Sequence, residues 1–409
     1  MPYEKYETVI GLEVHIQLST ASKAFCGDEN KFAGAPNTQI SPISLAHPGT
    51  LPKLNAQQIE FAVRLGLALG SKINPLNRFD RKNYFYADLP KGYQITQQDE
   101  PICIGGEIAV PTPNYTRHIR IHHIHMEEDA GKSTHDAYPE FTVVDLNRAG
   151  VPLLELVTEP DFRSAEEVDI FMNIMRQMVR YLEISDGNME EGSMRCDCNI
   201  SVRLKGSETF GNRCEIKNVN SMRFARRAIK YEVKRQIDLL ENGGEVLQQT
   251  LNFDPVTGKT SPLRTKEDAH DYRYFPDPDL PPVALSEDYI DNIRLAQPPL
   301  PWALKKKFQE EYGLSEYDAR LLTEHKKDAL LYMECCKVSN HYKPLANLFI
   351  NKVKAYQKEK PDTIFTVEQL TDFVDLTATN QINITVANQQ LFPAIAASPD
   401  KPVKDLAKE

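Results

Sequence analysis

Hydrophobic and polar positions alternate over short stretches of the first 290 or so residues, which predicts β-strands separated by frequent turns. The clearest stretches are "YETVIGLEVHIQL", "EFTVVDLN", "LLELVTE", "CDCNISVRL" and "RCEIKNVN". Three other segments carry apolar residues at helical spacing: "NAQQIEFAVRLGLALG", "SAEEVDIFMNIMRQMVRYLEI" and "SMRFARRAIKYEVKRQIDLLENGG". Because strands and helices do not alternate regularly, the sequence predicts an α+β fold with a mainly antiparallel sheet.

Local signals mark the ends of two of these helices. Ser164 stands where an N-cap residue is expected, and Glu167 follows three positions later, which predicts a capping box. Gly243 and Gly244 are typical of a helix end.

A proline-rich joint, "DPDLPPVAL" to "AQPPLPW", lies between about residues 277 and 302. Beyond it the helical segments are "LPWALKKKFQEEYG", "SEYDARLLTEH", "KDALLYMECCKVS" and "YKPLANLFINKVKAYQKE". We therefore predict a first domain over residues 1–293 and an all-helical domain over residues 294–409.

Size and composition are those expected of an ordinary cytoplasmic protein. The chain of 409 residues is long enough for two or three domains, and no apolar run approaches the length that spans a membrane. The N-terminal "MPYEKYETVI" lacks the layout of a signal peptide, and seven cysteines without a regular framework indicate reduced thiols. The net charge of −10 argues against a generally nucleic-acid-binding surface. Between residues 300 and 360, however, 12 Lys and Arg outnumber 8 Asp and Glu.

The stretch "HMEEDAGKSTH" contains Gly-Lys-Ser, the end of a phosphate-binding loop pattern. That pattern needs a glycine five residues before Gly131, where the chain has Met126. The residues that should hold phosphate are Glu127, Glu128 and Asp129, which would repel it. We conclude that this stretch is not such a loop.

Acidic residues and histidines instead recur two positions apart in four strand-like segments, which places them on one face of each strand. They are Glu13 and His15; His125, Glu127 and Asp129; Arg195, Asp197 and Asn199; and Arg213, Glu215 and Lys217. Two like charges about 4 Å apart cost roughly 4 kcal/mol at an effective dielectric constant near 20, so gathered carboxylates shift their pKa values or bind a cation. Oxygen ligands with one imidazole suit Mg²⁺ or Mn²⁺. The alternative is that each pair is a solvated strand face.

The cysteines carry no comparable pattern. Cys196 and Cys198 form a C-x-C without a second pair at zinc spacing, so we interpret them as core thiols.

Taken together, several segments resemble one family, the B subunits of the glutamyl/aspartyl-tRNA amidotransferases (GatB). From residue 6 to about 283 they follow the family's order: "VIGLEVHIQL", "DRKNYFYADLPKGYQI", "HMEEDAGKSTH", "VDLNRAGVPLLELVTEPD", "MEEGSMRCDCNISVR", "EIKNVNS" and "HDYRYFPDPDLPP". The helical region matches less distinctively.

The resemblance implies an ATP-dependent carbon–nitrogen ligase. The family phosphorylates the side-chain carboxylate of Glu on tRNA(Gln) or of Asp on tRNA(Asn), and ammonia then displaces the phosphate. The ammonia comes from an amidase-type glutaminase A subunit, and a small C subunit completes a heterotrimer. The family's first domain is a cradle similar in fold to glutamine synthetase. The expected cofactors are ATP and Mg²⁺, with Mn²⁺ as a substitute.

The resemblance also assigns roles to individual residues. Metal binding is assigned to His15, Glu127, Asp197 and Glu215, supported by Glu13 and Glu128. Phosphate neutralisation and catalysis are assigned to Arg195, Lys217 and Glu190. The ammonia route is assigned to Lys82 and Lys91, and a phosphate contact to Lys132.

We expect the chain to depart from the family pattern in two places. Many members carry C-x-C and C-x-x-C near the N-terminus, where this chain has "FCGDE" and "SPISL", so we expect no zinc. The family's C-terminal tail domain, which contacts tRNA, is expected to be absent from this chain. Two alternatives stay open: a glutamine-synthetase-like ligase acting on a free amino acid, and a non-catalytic tRNA-binding scaffold.

Overall fold

The structure is a computed structural model that describes residues 2–138, 140–263, 272–398 and 400–408. It divides into two compact units, Met1–Gln297 and Pro298–Glu409. The division falls inside the proline-rich joint. The first two residues of the "HDYRYFPDPDLPP" segment lie outside the described residues.

The first unit contains all the strands of the described residues. These are β1 (Tyr6–Gln17), β2 (Lys72–Ile73), β3 (Leu76–Asn77), β4 (Asp80–Asn83), β5 (Tyr93–Thr96), β6 (Cys103–Ile104), β7 (Glu107–Pro111), β8 (Thr116–Glu128), β9 (Lys132–Tyr138), β10 (Phe141–Asp145), β11 (Pro152–Thr158), β12 (Met194–Leu204), β13 (Cys214–Val219), β14 (Gln249–Asp254), β15 (Lys259–Pro262), β16 (Phe275–Pro276) and β17 (Val283–Ala284).

Helices occur in both units. Those of the first unit are α1 (Ala56–Ala68), α2 (Ala165–Tyr181), α3 (Met222–Glu241) and α4 (Glu287–Ala296), after a short 3₁₀ helix at Pro2–Lys5. Those of the second unit are α5 (Pro301–Glu310), α6 (Glu316–Leu322), α7 (Lys326–Val338), α8 (Tyr342–Leu348), α9 (Lys354–Glu359), α10 (Val367–Ala378), α11 (Ile384–Val386), α12 (Phe392–Ala397) and α13 (Val403–Leu406), with π-helical turns at Phe349–Val353 and Ala387–Leu391.

Ten strands of the described residues form one sheet in the order β15-β14-β13-β12-β1-β11-β8-β6-β2, with β7 also paired to β8. The central pairs are antiparallel, and β13 and β14 are parallel. The predicted α+β class is therefore confirmed, and each strand and helix predicted in the first unit lies where the sequence pattern placed it.

Alternation along the central strands gives the sheet one apolar face and one polar face. The apolar face includes Leu12, Val14, Cys196, Leu154 and Met126, all buried. Helix α1 packs on β8 and β11, and α3 packs on β12 and β13. Burying this face stabilises the fold by roughly 1.5–3 kcal/mol for each large side chain. Because α1 and α3 cover the apolar face, neither helix covers the polar face of the sheet.

Ser164 caps α2 as predicted, since its Oγ accepts a hydrogen bond from the N–H of Glu167 at 3.2 Å. The carboxylate of Glu167 accepts from the N–H of Arg163 at 2.6 Å, one residue earlier than a capping box requires. The same carboxylate also accepts from Tyr115 Oη at 2.7 Å and Arg117 Nε at 3.1 Å. These contacts hold the carboxylate away from the predicted partner, so the capping box is only half formed.

The second unit is built from helices around an aromatic core. Phe308, Tyr332 and Phe349 pack edge to face with ring centroids 5.0 and 5.6 Å apart. Phe373 and Phe392 form a similar pair at 6.0 Å. Such aromatic side chains dominate the energetics of a small core.

No helix in the described part of the chain combines the length and the apolar composition needed to cross a membrane.

Candidate active site

The polar face of the sheet carries the candidate site. Five neighbouring strands contribute to it in the order β13, β12, β1, β11 and β8. Strand pairing sets Glu13 opposite Asp197, and His15 between Glu155 and Arg195. Since side chains alternate along a strand, residues two apart share this face. The sequence prediction of several carboxylates on one face therefore corresponds to a single sheet surface.

One cluster on this face consists of His15, Glu127 and Glu155, each offering one ligand atom within 4.8 Å of the others. We call these three residues the histidine cluster. His15 Nε2 lies 3.2 Å from Glu155 Oε2 and 3.7 Å from Glu127 Oε1. His125 lies behind the cluster, with its Nε2 3.5 Å from Glu127 Oε2 and 3.5 Å from Glu155 Oε2.

A second cluster consists of Glu13, Asp197 and Glu215, again with ligand atoms within 4.8 Å of one another. We call this the carboxylate cluster. Asn199 Nδ2 donates to Glu13 Oε1 at 3.0 Å, and Thr250 Oγ1 donates to Glu215 Oε2 at 3.0 Å. Because Glu13 and His15 are two residues apart on β1, the two clusters lie side by side on the sheet.

The pKa values of the residues in the two clusters reflect several carboxylates that lie close together in a largely buried part of the sheet. Burial alone would lower the pKa of His15, but the carboxylates of Glu155 and Glu127 together raise the pKa to about 9. Burial raises the pKa of Glu13, and nearby carboxylates, Glu155 first among them, raise it further. Burial alone would raise the pKa of Glu155, but the neighbouring imidazoles of His125 and His15 hold this pKa well below its usual range. Both clusters thus favour additional positive charge.

Arg195 lies next to the clusters and is held by Asp129. Arg195 Nη2 contacts Asp129 Oδ2 at 2.9 Å, and Gln17 Nε2 donates to the same oxygen at 2.7 Å. Burial would lower the pKa of Arg195, but Asp129 raises it. Arg195 Nε is buried and has no hydrogen-bond partner among the described residues. A buried guanidinium donor without a partner is costly unless a ligand accepts from it.

The predicted lysines lie at different parts of the site. Lys217 Nζ is 3.1 Å from Glu215 Oε1 and 4.0 Å from Asp197 Oδ2, so it borders the carboxylate cluster. Lys82 Nζ lies 4.9 Å from the ring centroid of Tyr272. Burial would lower the pKa of Lys82, but Glu127 is foremost among the charges that raise it.

The structure separates Glu128 from Glu127. Successive residues of a strand point to opposite sides, so Glu128 leaves the polar face and pairs with Lys91. Its Oε1 also accepts from the N–H of Ile95 at 3.0 Å. Lys91, Glu128 and Phe25 line a cavity of about 200 Å³. Glu128 therefore belongs to this cavity and to neither cluster.

Two other predicted residues also lie outside the clusters. Glu190 is exposed in the turn before β12, where its N–H donates to Asn188 Oδ1 at 3.1 Å. Lys132 is exposed at the start of β9 and pairs in register with Asp145. The Gly131-Lys132-Ser133 segment leads into a strand, whereas a phosphate-binding loop leads into a helix. The rejection of that loop is therefore confirmed.

Glu155 is the site residue that the sequence interpretation missed. It is flanked by leucines in "LLELVTE" and has no charged residue two positions away, so alternation gave no signal. The signal that could have identified Glu155 is a single carboxylate inside an otherwise apolar strand, because such a charge is seldom buried without a partner.

The cysteines are core residues, as interpreted. Cys196 and Cys198 are buried on the apolar face, with their sulfur atoms 3.9 Å apart. Cys26 is also buried.

Comparisons with known proteins agree with the sequence resemblance. Residues 8–291 match the family model described as the GatB/GatE catalytic domain. The chain is 52% identical over 360 residues to the B subunit of the aspartyl/glutamyl-tRNA(Asn/Gln) amidotransferase of Myxococcus xanthus, covering 88% of this chain and 75% of that protein. The proteins of the same name from Thermodesulfovibrio yellowstonii and Salinibacter ruber are 47% and 46% identical, covering 94% and 100% of this chain and 82% and 85% of theirs.

Proposed function

Because this chain belongs to the family of aspartyl/glutamyl-tRNA(Asn/Gln) amidotransferase B subunits, we propose that it activates and amidates an amino acid carried by tRNA. ATP phosphorylates the side-chain carboxylate of Glu on tRNA(Gln), of Asp on tRNA(Asn), or of both. Ammonia then replaces the phosphate. The observation that carries this proposal is the pair of adjacent clusters on one sheet face.

The donor set fits Mg²⁺, or Mn²⁺ in its place. Each cluster offers carboxylate oxygens, and only one includes an imidazole, which is the ligand composition that these hard cations accept. His15, Glu127 and Glu155 would hold one cation, and Glu13, Asp197 and Glu215 a second. When bound, the cations neutralise the charge that develops on phosphate oxygens.

The side chains of the site then have distinct tasks. Arg195 presents a buried Nε without a partner among the described residues, which suits an oxygen of ATP or of the transferred phosphate. Lys217 can neutralise phosphate beside the carboxylate cluster. Asp129 fixes the orientation of the Arg195 side chain, and Gln17 in turn holds Asp129, since Gln17 and Arg195 both donate to one carboxylate oxygen of Asp129.

The proposed reaction has two steps, phosphorylation of the carboxylate and displacement of the phosphate by ammonia. An oxygen of the substrate carboxylate attacks the γ-phosphorus of ATP, the bond to the β-phosphate oxygen breaks, and ADP leaves. The nitrogen of ammonia then attacks the acyl carbon, and inorganic phosphate leaves with the original carboxylate oxygen, while a proton is lost from nitrogen. Phosphorylation is needed because oxide is a poor leaving group. The residues therefore act mainly by positioning and by neutralising charge.

The proposal extends to the fold and to the partners. The first unit, with its antiparallel sheet and polar face, would be a cradle similar to glutamine synthetase, and the helical unit would contact tRNA. The excess of Lys and Arg over Asp and Glu between residues 300 and 360 of the helical unit supports this contact. An amidase-type A subunit and a small C subunit would supply ammonia and complete the complex. Lys82 and Lys91 would line the ammonia route: burial would lower the pKa of Lys82 but Glu127 raises it, and Lys91 pairs with Glu128, so the two lysines interact with consecutive residues of β8.

The test is ATP hydrolysis by this chain assembled with its A and C subunits, with and without each misacylated tRNA. We expect phosphate release to depend on misacylated Glu-tRNA(Gln) or Asp-tRNA(Asn). Correctly acylated tRNA is the matched control. ATP hydrolysis that responds to free glutamate or aspartate instead would favour a glutamine-synthetase-like ligase, and no ATP hydrolysis under any condition would favour a scaffold.

A further inference from the structure

A β-bulge in β8 brings three histidines together beside the active site. Consecutive residues Val157 and Thr158 of β11 pair with His123 and Ile121 of β8, so His122 is the extra residue between them. A bulge of this kind places two residues against one on the neighbouring strand and redirects their side chains. The bulge explains how His122 and His123, although adjacent in sequence, bring their rings together.

The three imidazoles form a row that runs from the surface inward. His122 Nδ1 lies 2.7 Å from His123 Nδ1, and His123 Nε2 lies 3.1 Å from His125 Nδ1. The rings of His123 and His125 are stacked, with centroids 5.2 Å apart. His122 is exposed, His123 is half-buried and His125 is buried. We call these residues the histidine row.

We propose that the histidine row is a binding site for a borderline divalent cation such as Zn²⁺ or Co²⁺. Two nitrogen ligands at about 2.0–2.1 Å from a tetrahedral zinc ion lie about 3.3 Å apart, close to the 3.1 Å between His123 Nε2 and His125 Nδ1. His122 contacts the other ring nitrogen of His123, Nδ1, so its exposed side chain would have to rotate to supply a third imidazole, and water would complete the coordination.

This site differs from the two clusters in its chemistry. Its ligands are nitrogen atoms, which favour Zn²⁺, Co²⁺ or Ni²⁺ over Mg²⁺, whereas the clusters consist mainly of oxygen atoms. The His125 ring separates the two kinds of site, because its Nδ1 faces His123 and its Nε2 faces Glu127 and Glu155. The inference does not depend on the proposed function. The sequence analysis predicts no zinc because the N-terminal cysteine pairs are missing, and the proposed imidazole site departs from that prediction.

The test is a titration of the full chain with Co²⁺ in an excess of Mg²⁺, which competes with Co²⁺ for oxygen ligands. We expect one bound Co²⁺ with the visible absorption of a tetrahedral, nitrogen-coordinated ion. His123→Asn should weaken this binding at least tenfold. His122→Asn, which alters an exposed side chain, should also weaken it and guards against a folding defect in the first variant. His118→Asn is the matched control, because His118 is an exposed histidine of the same strand that contacts Glu107.

The location of the ion is a second measurement. Anomalous X-ray scattering from zinc-soaked crystals should place a peak within bonding distance of His123 and His125. A peak only at His15 and Glu155 would overturn the inference. So would the absence of Co²⁺ binding in excess Mg²⁺, or equal binding by the wild-type chain and the His122→Asn/His123→Asn double variant.

Discussion

At the scale of single residues, the site depends on how each buried charge is compensated. Glu155 lies between two imidazoles, with its Oε2 3.2 Å from His15 Nε2 and 3.5 Å from His125 Nε2. A carboxylate in such surroundings is kept ionised and its position is fixed from two sides. Glu155 is therefore both a candidate ligand and the residue that joins the histidine cluster together.

Glu155→Gln removes one negative charge from the histidine cluster and nearly preserves the shape of the side chain. Loss of supporting residues around a metal site typically costs 10–100-fold, so we expect loss of a ligand to lower tRNA-dependent ATP hydrolysis by about a hundredfold or more. The measurement is phosphate release by the assembled complex at increasing Mg²⁺. Glu208→Gln, at an exposed position away from both clusters, should behave like the wild type.

The Asp129–Arg195 pair makes a prediction about stability that does not involve activity. Asp129→Asn deprives the Arg195 guanidinium of its hydrogen-bonded counter-charge, and breaking such a buried pair costs about 3–5 kcal/mol. We expect a clear decrease in the urea midpoint of the first unit, followed by circular dichroism. Asp238→Asn is the control, since Asp238 pairs with Lys234 at the surface, and its midpoint should be nearly unchanged. Equal midpoints for Asp129→Asn and the wild type would show that solvent already compensates Arg195.

At the scale of elements, alternation along single strands predicted most of the site. Glu13 with His15 and Asp197 with Arg195 follow directly from a period of two, and the same period assigns Val14 and Cys196 to the core. Alternation also separates Glu127 from Glu128, whereas the family resemblance assigned Glu128 to the support of the metal site. The bulge at His122 could not be predicted, because it depends on the pairing of β8 with a distant strand.

The N-terminus of α2 gives a prediction at this scale. Ser164→Ala removes the side-chain acceptor for the N–H of Glu167, which should destabilise the chain by about 1 kcal/mol. Ser261→Ala changes an exposed serine on β15 and is the matched control. Urea denaturation of both variants measures the difference. An equal effect of the two substitutions would mean that the contacts of Glu167 with Tyr115 and Arg117 fix the helix start without the cap.

At the scale of the whole molecule, the site is assembled from strands that are far apart in sequence. His15 on β1 meets Glu127 on β8 and Glu155 on β11 only because β11 is inserted between those two strands in the sheet. Periodicity shows which face a residue occupies but carries no information about strand order. The resemblance to a known family grouped residues of separate strands into one expected ligand set, although it did not include Glu155.

The proposed ammonia route would be a property of the whole complex, and Lys91 tests it. Lys91→Met removes the partner of Glu128 at the cavity while keeping much of the side-chain length. We expect amidation supported by glutamine to fall several times more than amidation supported by ammonium salt. Lys132→Met, at the exposed start of β9, is the control. Equal losses with both nitrogen sources would place Lys91 in the phosphorylation site or in the packing of the first unit.

Transfer of labelled phosphate from ATP to misacylated tRNA, without a nitrogen donor, tests whether the two clusters on the polar face form the phosphorylation site. The complex with the wild-type chain should form the labelled acyl phosphate. Complexes with Glu215→Gln or Glu127→Gln should form at least tenfold less, while glutamine hydrolysis by the A subunit remains detectable. Labelling at the wild-type rate in both variants would show that phosphorylation takes place without these clusters.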